Sequence, residues 1–169
     1  MQYFKKFCGQ TNNTTESERI KEVAFSWLGC FIAIALIGVL TKSFDTLLVL
    51  GSFGASCVLI FAYPKSPFSQ PRNVVLGHFF STGIGLFFLY FLGNEWWSMA
   101  LALSTAISVM LLTRTVHPPA GSNPLIVFLL NAEFNFLFLP TLNGSIILVL
   151  VAVFYINLHP NKTYPEYWY

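Results

Sequence analysis

Residues 23–40 of the chain are VAFSWLGCFIAIALIGVL, an apolar run without a charged side chain. A helix needs about 20 largely apolar residues to cross the hydrocarbon core of a bilayer, and slightly fewer where flanking side chains reach the interface. Lys21 and Glu22 precede the run, and Lys42 follows it closely. This stretch therefore predicts a transmembrane helix.

The rest of the chain is also poor in charge. Charged residues make up 9% of the 169 residues, whereas about a quarter is usual in a soluble domain. Residues 1–22 hold seven of these charges, and residues 23–158 hold only seven more. A soluble globule cannot coat its surface with so few charges. The composition predicts an integral membrane protein, and the lack of a basic stripe gives nucleic-acid binding no electrostatic basis.

Five further apolar runs follow the first, each ended by charges, prolines or polar residues. They are residues 47–63, 74–92, 97–113, 124–132 and 145–158. We interpret all six runs as membrane elements of an all-α, polytopic transmembrane helical bundle that contacts the lipid bilayer directly. Residues 1–22 are then a cytoplasmic N-terminal segment, residues 23–158 the transmembrane domain, and residues 159–169 an aromatic C-terminal tail.

The positions of the cations predict the orientation. If all six elements cross and the N-terminus is cytoplasmic, the inner side carries every Lys and Arg except Lys42. Lys and Arg are enriched in the cytoplasmic loops of membrane proteins. Both termini are therefore predicted to be cytoplasmic, and the expected location is a bacterial inner (plasma) membrane.

An internal similarity divides the bundle in two. Residues 54–60 (GASCVLI) align with residues 120–126 (AGSNPLI), with identities at a serine, a leucine and an isoleucine. Three elements per copy place the copies in opposite orientations, as in many transporters. We therefore predict two inverted repeats, at about residues 23–92 and 97–158. The alternative is a chance match between two stretches of small residues.

Both repeated stretches are predicted to break a helix inside the membrane. Pro118 and Pro119 cannot continue the preceding helix, and Pro124 suits the first turn of a new one. Two half-helices that direct their N-termini at the midplane would attract a small anion. The predicted substrate-binding residues are Gly54, Ala55, Ser56, His117, Gly121, Ser122 and Asn123. The alternative is that both breaks are kinks that serve helix packing.

Four ionisable residues are candidates for attracting the anion or for proton coupling. Arg72 and Arg114 are expected at the cytoplasmic mouth, although Arg114 is equally compatible with snorkelling to the surface. His117 is suited to titrate near neutral pH or to cap the helix break. His78 is expected to face His117 across the repeat interface, and a structural hydrogen bond is the simpler role for it.

An enzymatic function finds little support in the sequence. No pair of intramembrane acids and no cluster of metal-ligating residues is evident, so we expect no catalytic residues, no metal and no cofactor. Ser122, close to His117, suggests a serine hydrolase only weakly, because no nucleophile-elbow pattern accompanies it.

Two long motifs resemble a known family. Residues 117–124 are HPPAGSNP, and residues 51–78 carry a second block that begins GSFGAS and ends GH. Together they resemble the HPP family of small integral membrane proteins. The resemblance implies transport, because members related to cyanobacteria and chloroplasts are described as nitrite transporters.

We therefore expect a carrier or channel for a small monovalent anion such as nitrite. One subunit of this length can hardly enclose a path alone, so we also expect a homo-oligomer, most simply a dimer. The alternative is a non-transporting assembly or sensor module of the membrane.

Overall fold

The computed structural model describes residues 16–43 and 48–168, and this part of the chain is helical without strands. The α-helices are α1 (Glu16–Ser43), α2 (Gly51–Cys57), α3 (Pro71–Leu92), α4 (Trp96–Leu112), α5 (Asn123–Leu130) and α6 (Gly144–Ile156). Two segments of π-helix adjoin them: Val58–Ala62 continues α2, and Phe138–Asn143 leads into α6. Short 3₁₀ turns occur at Pro67–Ser69, Pro118–Ser122 and Phe134–Leu137.

Some predictions concern residues outside this part of the chain. They include most of the predicted N-terminal segment 1–22 and the start of the second apolar run at Leu47. Within the described residues, α1 begins at Glu16 and so extends into that N-terminal segment.

Three helical stretches are long and apolar enough to cross a membrane: Ile20–Ser43, Pro71–Leu92 and Phe134–Ile156. At 1.5 Å per residue, α3 is about 33 Å long, close to the 30 Å of a hydrocarbon core. The apolar helices Gly51–Ala62 and Trp96–Leu112 are shorter. The prediction of an all-helical membrane protein is confirmed, whereas the six-element inverted repeat remains a prediction.

The second helix break lies at the prolines where it was predicted. Arg114 adopts a left-handed conformation (φ 56°) just after the end of α4. His117 is extended (φ −132°, ψ 100°), as the residue before a proline prefers. Pro124 then occupies the first turn of α5, where its missing N–H is not needed.

The first break differs from its prediction. Leu50 is extended and α2 begins at Gly51, so Gly54, Ala55 and Ser56 lie within the helix rather than at its start. Glycine and serine are common in membrane helices, because neighbouring helices and intrahelical bonds compensate for their low helix propensity. The short GSFGAS stretch is therefore helical, and the break falls just before it.

Helix α3 is the centre of the bundle, packed against α4, α5, α6 and the Pro118–Ser122 turn. One apolar core lies among α1, α2 and α6, and a second among α3, α4 and α5. Gly77 and Gly85 permit close approach: a Cβ at Gly77 would lie 2.8 Å from the Cβ of His117, and one at Gly85 would lie 2.9 Å from the Cα of Pro124. Small residues on α3 thus bring both broken segments against it.

The C-terminal tail folds back onto the bundle. Tyr164 is 1% exposed, and its hydroxyl donates to the carbonyl of Ser69 at 2.7 Å. The amide of Asn157 exchanges hydrogen bonds with both backbone groups of Tyr164. Burial raises the pKa of the Tyr164 phenol. The tail therefore holds the turn at Pro67–Ser69 in place.

Candidate functional site

A polar cluster lies between the two apolar cores, where α2, α3, α5 and the segment before Pro118 meet. Its fully buried members are Ser56, His78, Thr82, His117, Asn123 and Thr141. Buried polar groups in a membrane bundle are costly unless they are hydrogen-bonded, and intramembrane histidines commonly mark functional sites. The cluster is therefore the candidate functional site of this chain.

The Ser56 hydroxyl bridges the two histidines. Its Oγ lies 2.9 Å from Nε2 of His78 and 2.8 Å from Nε2 of His117. A third partner, the carbonyl of Ser52 one turn earlier in α2, is 3.1 Å away. The imidazole rings are 5.0 Å apart between centroids and tilted by 62°. One hydroxyl of α2 thus joins a histidine of α3 to the histidine that precedes Pro118.

When both rings are neutral, the partners of the two Nδ1 atoms show which nitrogen of each histidine carries the proton. Nδ1 of His117 lies 2.7 Å from the carbonyl oxygen of Phe68, which can only accept, so this nitrogen carries the proton. Nδ1 of His78 lies 2.9 Å from Nδ2 of Asn123, which can only donate, so the proton of His78 is on Nε2. His78 therefore donates to Ser56, and Ser56 donates to His117.

Asn123 links this bridge to the middle of α3. Its Nδ2 also lies 2.8 Å from the hydroxyl of Thr82, which is 3.3 Å from the hydroxyl of Thr141. Thr82 is half-way along α3. At 1.5 Å per residue, His78 lies about 10 Å from the start of that helix. The cluster thus extends from the middle of α3 towards the end at which that helix begins.

Two buried polar atoms at the edge of the cluster lack a protein partner. They are Oγ of Ser52 and Oδ1 of Asn123. The Ser52 side chain is 3% exposed and lies one turn from Ser56 on the same helix. Buried hydroxyls and amide oxygens nearly always have a hydrogen-bond partner, so these two atoms indicate where a polar ligand would bind.

The structure brings together four residues named from the sequence: Ser56, His78, His117 and Asn123. It places the others elsewhere. Gly54 and Ala55 are on the exposed face of α2, with open space in front of Gly54. Ser122 donates to the carbonyl of Pro119, and the half-buried Gly121 also has open space in front of it. These four residues take no part in the hydrogen bonds of the cluster.

The two arginines lie at one end of the bundle. Nη2 of Arg72 donates to the carbonyl of Thr113 at 2.8 Å and so satisfies the C-terminus of α4. Arg114 follows in the chain with its side chain exposed. Neither residue has a hydrogen bond to the histidines in the described structure. The two predicted anion-attracting arginines therefore lie outside the hydrogen bonds of the cluster.

Sequence reasoning missed several members of the cluster. Ser52 and Thr82 each lie four residues from a recognised member of it, Ser56 and His78 respectively. This i, i+4 spacing places each pair on one helix face and was an available signal. Thr141 and the Phe68 carbonyl had no comparable signal, because they meet the cluster only through tertiary packing.

The described residues offer no metal centre. In residues 16–43 and 48–168, no three His, Cys, Asp or Glu side chains lie close enough together to hold an ion. The hydrogen-bonded Ser–His contacts are instead suited to holding and moving a proton.

Apolar helices of membrane-spanning length around a buried polar cluster define a polytopic α-helical membrane protein. The transmembrane region of the HPP family matches residues 15–165. The chain therefore belongs to the HPP family, as the two motifs suggested.

Two relatives from Dictyostelium discoideum are each described only as a transmembrane protein. One is 37% identical over 182 residues, and the other is 34% identical over 186 residues. Each alignment covers all of this chain, which spans 58% and 64% of the length of the two relatives. No solved structure matches the chain.

Proposed function

We propose that the protein transports a small monovalent anion across its membrane, and that nitrite is its substrate. The observation that carries the proposal is the buried polar cluster, with the unpartnered Ser52 hydroxyl at its edge. A free hydroxyl donor within an otherwise apolar bundle is suited to replace part of the hydration shell of an anion. Nitrite is proposed by analogy with the family members described as nitrite transporters.

The substrate site of this proposal lies beside Ser52, Ser56 and Asn123. Asn123 is also the first residue of α5, whose N-terminal N–H groups carry a partial positive charge. The site would offer the Ser52 hydroxyl and the positive end of the α5 dipole to a planar anion of two or three oxygens, while the Asn123 amide keeps its bonds to His78 and Thr82.

The orientation with cytoplasmic termini is part of the proposal. Arg72 bonds to the end of α4, and Lys162 lies 4.0 Å from Glu22 at the start of α1, so several charges gather at the helix ends. The excess of cations there supports a cytoplasmic location. The order of helix, short broken helix and spanning helix also occurs twice, which supports the inverted repeat. A dimer and a bacterial inner membrane stay predictions, and the two relatives cited are from a eukaryote.

A hydrolase fits the geometry less well, and we propose a non-enzymatic role. Ser56 is 2.8 Å from a histidine, but its hydroxyl bridges two histidines within the cluster and its side chain is fully buried. The other nitrogen of that histidine bonds to a neutral backbone carbonyl rather than to a carboxylate. A serine nucleophile needs an accessible Oγ and usually a charged partner that orients its base.

Flux into proteoliposomes tests the proposal. We expect nitrite uptake that exceeds the leak into protein-free vesicles. Ser52→Ala should reduce it at least tenfold, because alanine removes the hydrogen-bond donor without adding bulk. The matched control is Ser104→Ala, a change to an exposed serine of α4 whose hydroxyl bonds only to its own helix. Size-exclusion profiles must show that both variants fold. Absence of flux for nitrite, nitrate, formate and chloride would favour the non-transporting module instead.

A further inference from the structure

The Ser56 hydroxyl has one proton and two lone pairs, and it has three partners within hydrogen-bond distance. In the neutral cluster it accepts from Nε2 of His78 and donates to Nε2 of His117. The carbonyl of Ser52, at 3.1 Å, is then a spare acceptor. A spare acceptor beside a bridging hydroxyl allows the hydroxyl hydrogen to point in either of two directions.

The same heavy-atom positions accommodate one additional proton. If Nε2 of His117 is protonated, it donates to Ser56, whose hydroxyl then turns to the carbonyl of Ser52. Both lone pairs of Ser56 accept from the two histidines, and every hydrogen atom still has an acceptor. Nδ1 of His117 keeps its bond to Phe68 throughout. The cluster therefore has the hydrogen-bonding capacity of a two-state proton site.

We propose that the transported anion moves together with a proton bound at Nε2 of His117, and that the Ser56 hydroxyl is the switch between the neutral and the protonated cluster. This inference rests on the proposed anion transport and adds its coupling ion. In the binding step, a hydronium ion gives its proton to the Nε2 lone pair, a new N–H bond forms and water is released. No N–H or O–H bond of the protein breaks, because the hydroxyl of Ser56 only rotates.

The charge that the proton brings explains how a neutral cluster holds an anion. An unpaired charge in a low-dielectric interior is costly, whereas an imidazolium and an anion a few ångströms apart offset each other's cost. Neither state requires His78 to ionise, since its Nδ1 accepts from Asn123 in both. The proton and the anion thus cross as a neutral pair.

Nearby elements bring no other charge to this site. The titratable or charged side chains on the elements packed against the two histidines are Cys57, Arg72, Tyr90, Arg114 and Tyr155. Tyr90 is exposed near the other end of α3, where it stacks on Phe134. Cys57 faces a thiol of α1, and the Tyr155 hydroxyl bonds to the backbone of α1. Arg72 bonds to a carbonyl at the end of α4, and Arg114 is exposed. The described surroundings of His117 therefore contain one other titratable group in contact, His78.

Proteoliposomes that contain a fluorescent pH indicator test the coupling. For the wild type, we expect an inward nitrite gradient to acidify the lumen by one proton per nitrite, after subtraction of the leak into protein-free vesicles. Initial uptake should rise up to tenfold per unit decrease in external pH. It should not respond to a potassium–valinomycin clamp of the membrane potential, because the pair is neutral.

Two variants locate the proton. His117→Gln introduces an amide that can bond to Phe68 and Ser56 but cannot be protonated. Proton entry should therefore fall at least tenfold, and any remaining nitrite flux should respond to the clamp of the membrane potential. Ser56→Ala removes the acceptor of the protonated ring, so the pH profile should shift to lower pH by about one unit. The matched control is His159→Gln, a half-buried histidine of the tail that packs edge-on against Phe25. It should retain both fluxes.

Each outcome has a separate meaning. Nitrite uptake by the wild type at constant lumenal pH overturns the proton coupling and leaves anion transport intact. Coupled proton entry that survives in His117→Gln overturns the assignment to His117. Equal losses of both fluxes in Ser56→Ala with an unchanged pH profile indicate a merely structural serine and overturn the switch. Absence of any anion flux removes the transport proposal and the coupling with it.

Discussion

Substitution of Gly77 by alanine tests the close packing that positions His117. The new Cβ would lie 2.8 Å from the Cβ of His117 and 3.0 Å from the carbonyl oxygen of Thr115. Carbon atoms in contact are normally 3.5–4.0 Å apart, so the two segments must separate by about 1 Å. Such overpacking costs about 1–3 kcal/mol. A displacement of this size also breaks the 2.8 Å bond to Ser56, which adds about 1–3 kcal/mol for the groups left unpaired.

The free energy of unfolding should therefore fall by at least about 2 kcal/mol. For a chain of this size, 1 kcal/mol corresponds to about 2–4 °C in Tm, so Tm in detergent should fall by about 4 °C or more. The matched control is Gly54→Ala on the exposed face of α2, where no atom lies within 4 Å of the added Cβ. There the change should stabilise the helix by about 0.5–1 kcal/mol. A Gly77→Ala protein with an unchanged or higher Tm would refute the packing argument.

Two further predictions concern other contacts. Tyr164→Phe removes the 2.7 Å bond to the carbonyl of Ser69 and should lower the free energy of unfolding by about 1–3 kcal/mol, measured by thermal unfolding in detergent. Because burial raises the pKa of Tyr164, the wild type should keep this stability below about pH 10 and lose it as pH rises further, whereas the variant should lose less. In ¹⁵N NMR spectra at neutral pH, His78 should carry its proton on Nε2 and His117 on Nδ1; the reverse pattern would contradict the direction of the hydrogen bonds through Ser56.

The helical class and the long spans could be predicted because they depend on local composition. An apolar run of spanning length has few alternatives to a helix in a bilayer, where every backbone group must be satisfied within the segment. The ends of the helices were less certain. Helix α3 begins at Pro71, three residues before the predicted run, because proline is favoured in the first helical turn. The break before α2 falls ahead of the glycines and serines that predict it, because a membrane helix accommodates these residues better than a helix in water does.

The cluster itself is a tertiary feature, and its geometry could not be predicted. His78 and His117 are 39 positions apart, and only the folding of the second broken segment onto α3 places their rings 5.0 Å apart. The serine at the matching position of the predicted repeat, Ser122, follows a different course and bonds within its own turn. Likewise, aromatic residues near a membrane surface usually indicate an interfacial tail, and nothing in the sequence identifies Tyr164 as buried.

Binding of an anion by helix dipoles and binding by a protonated histidine predict different effects of pH on uptake. The sequence suggested two helix N-termini whose fixed dipoles point at the substrate, and such a site holds its partial charge at every pH. In the structure, α2 begins one turn before Ser56, and the side chains that meet there are neutral polar groups and two histidines. A neutral cluster gains a full positive charge only by binding a proton. Uptake that is independent of external pH between 5 and 8 would therefore favour the dipoles, whereas uptake that follows the proton concentration would favour His117.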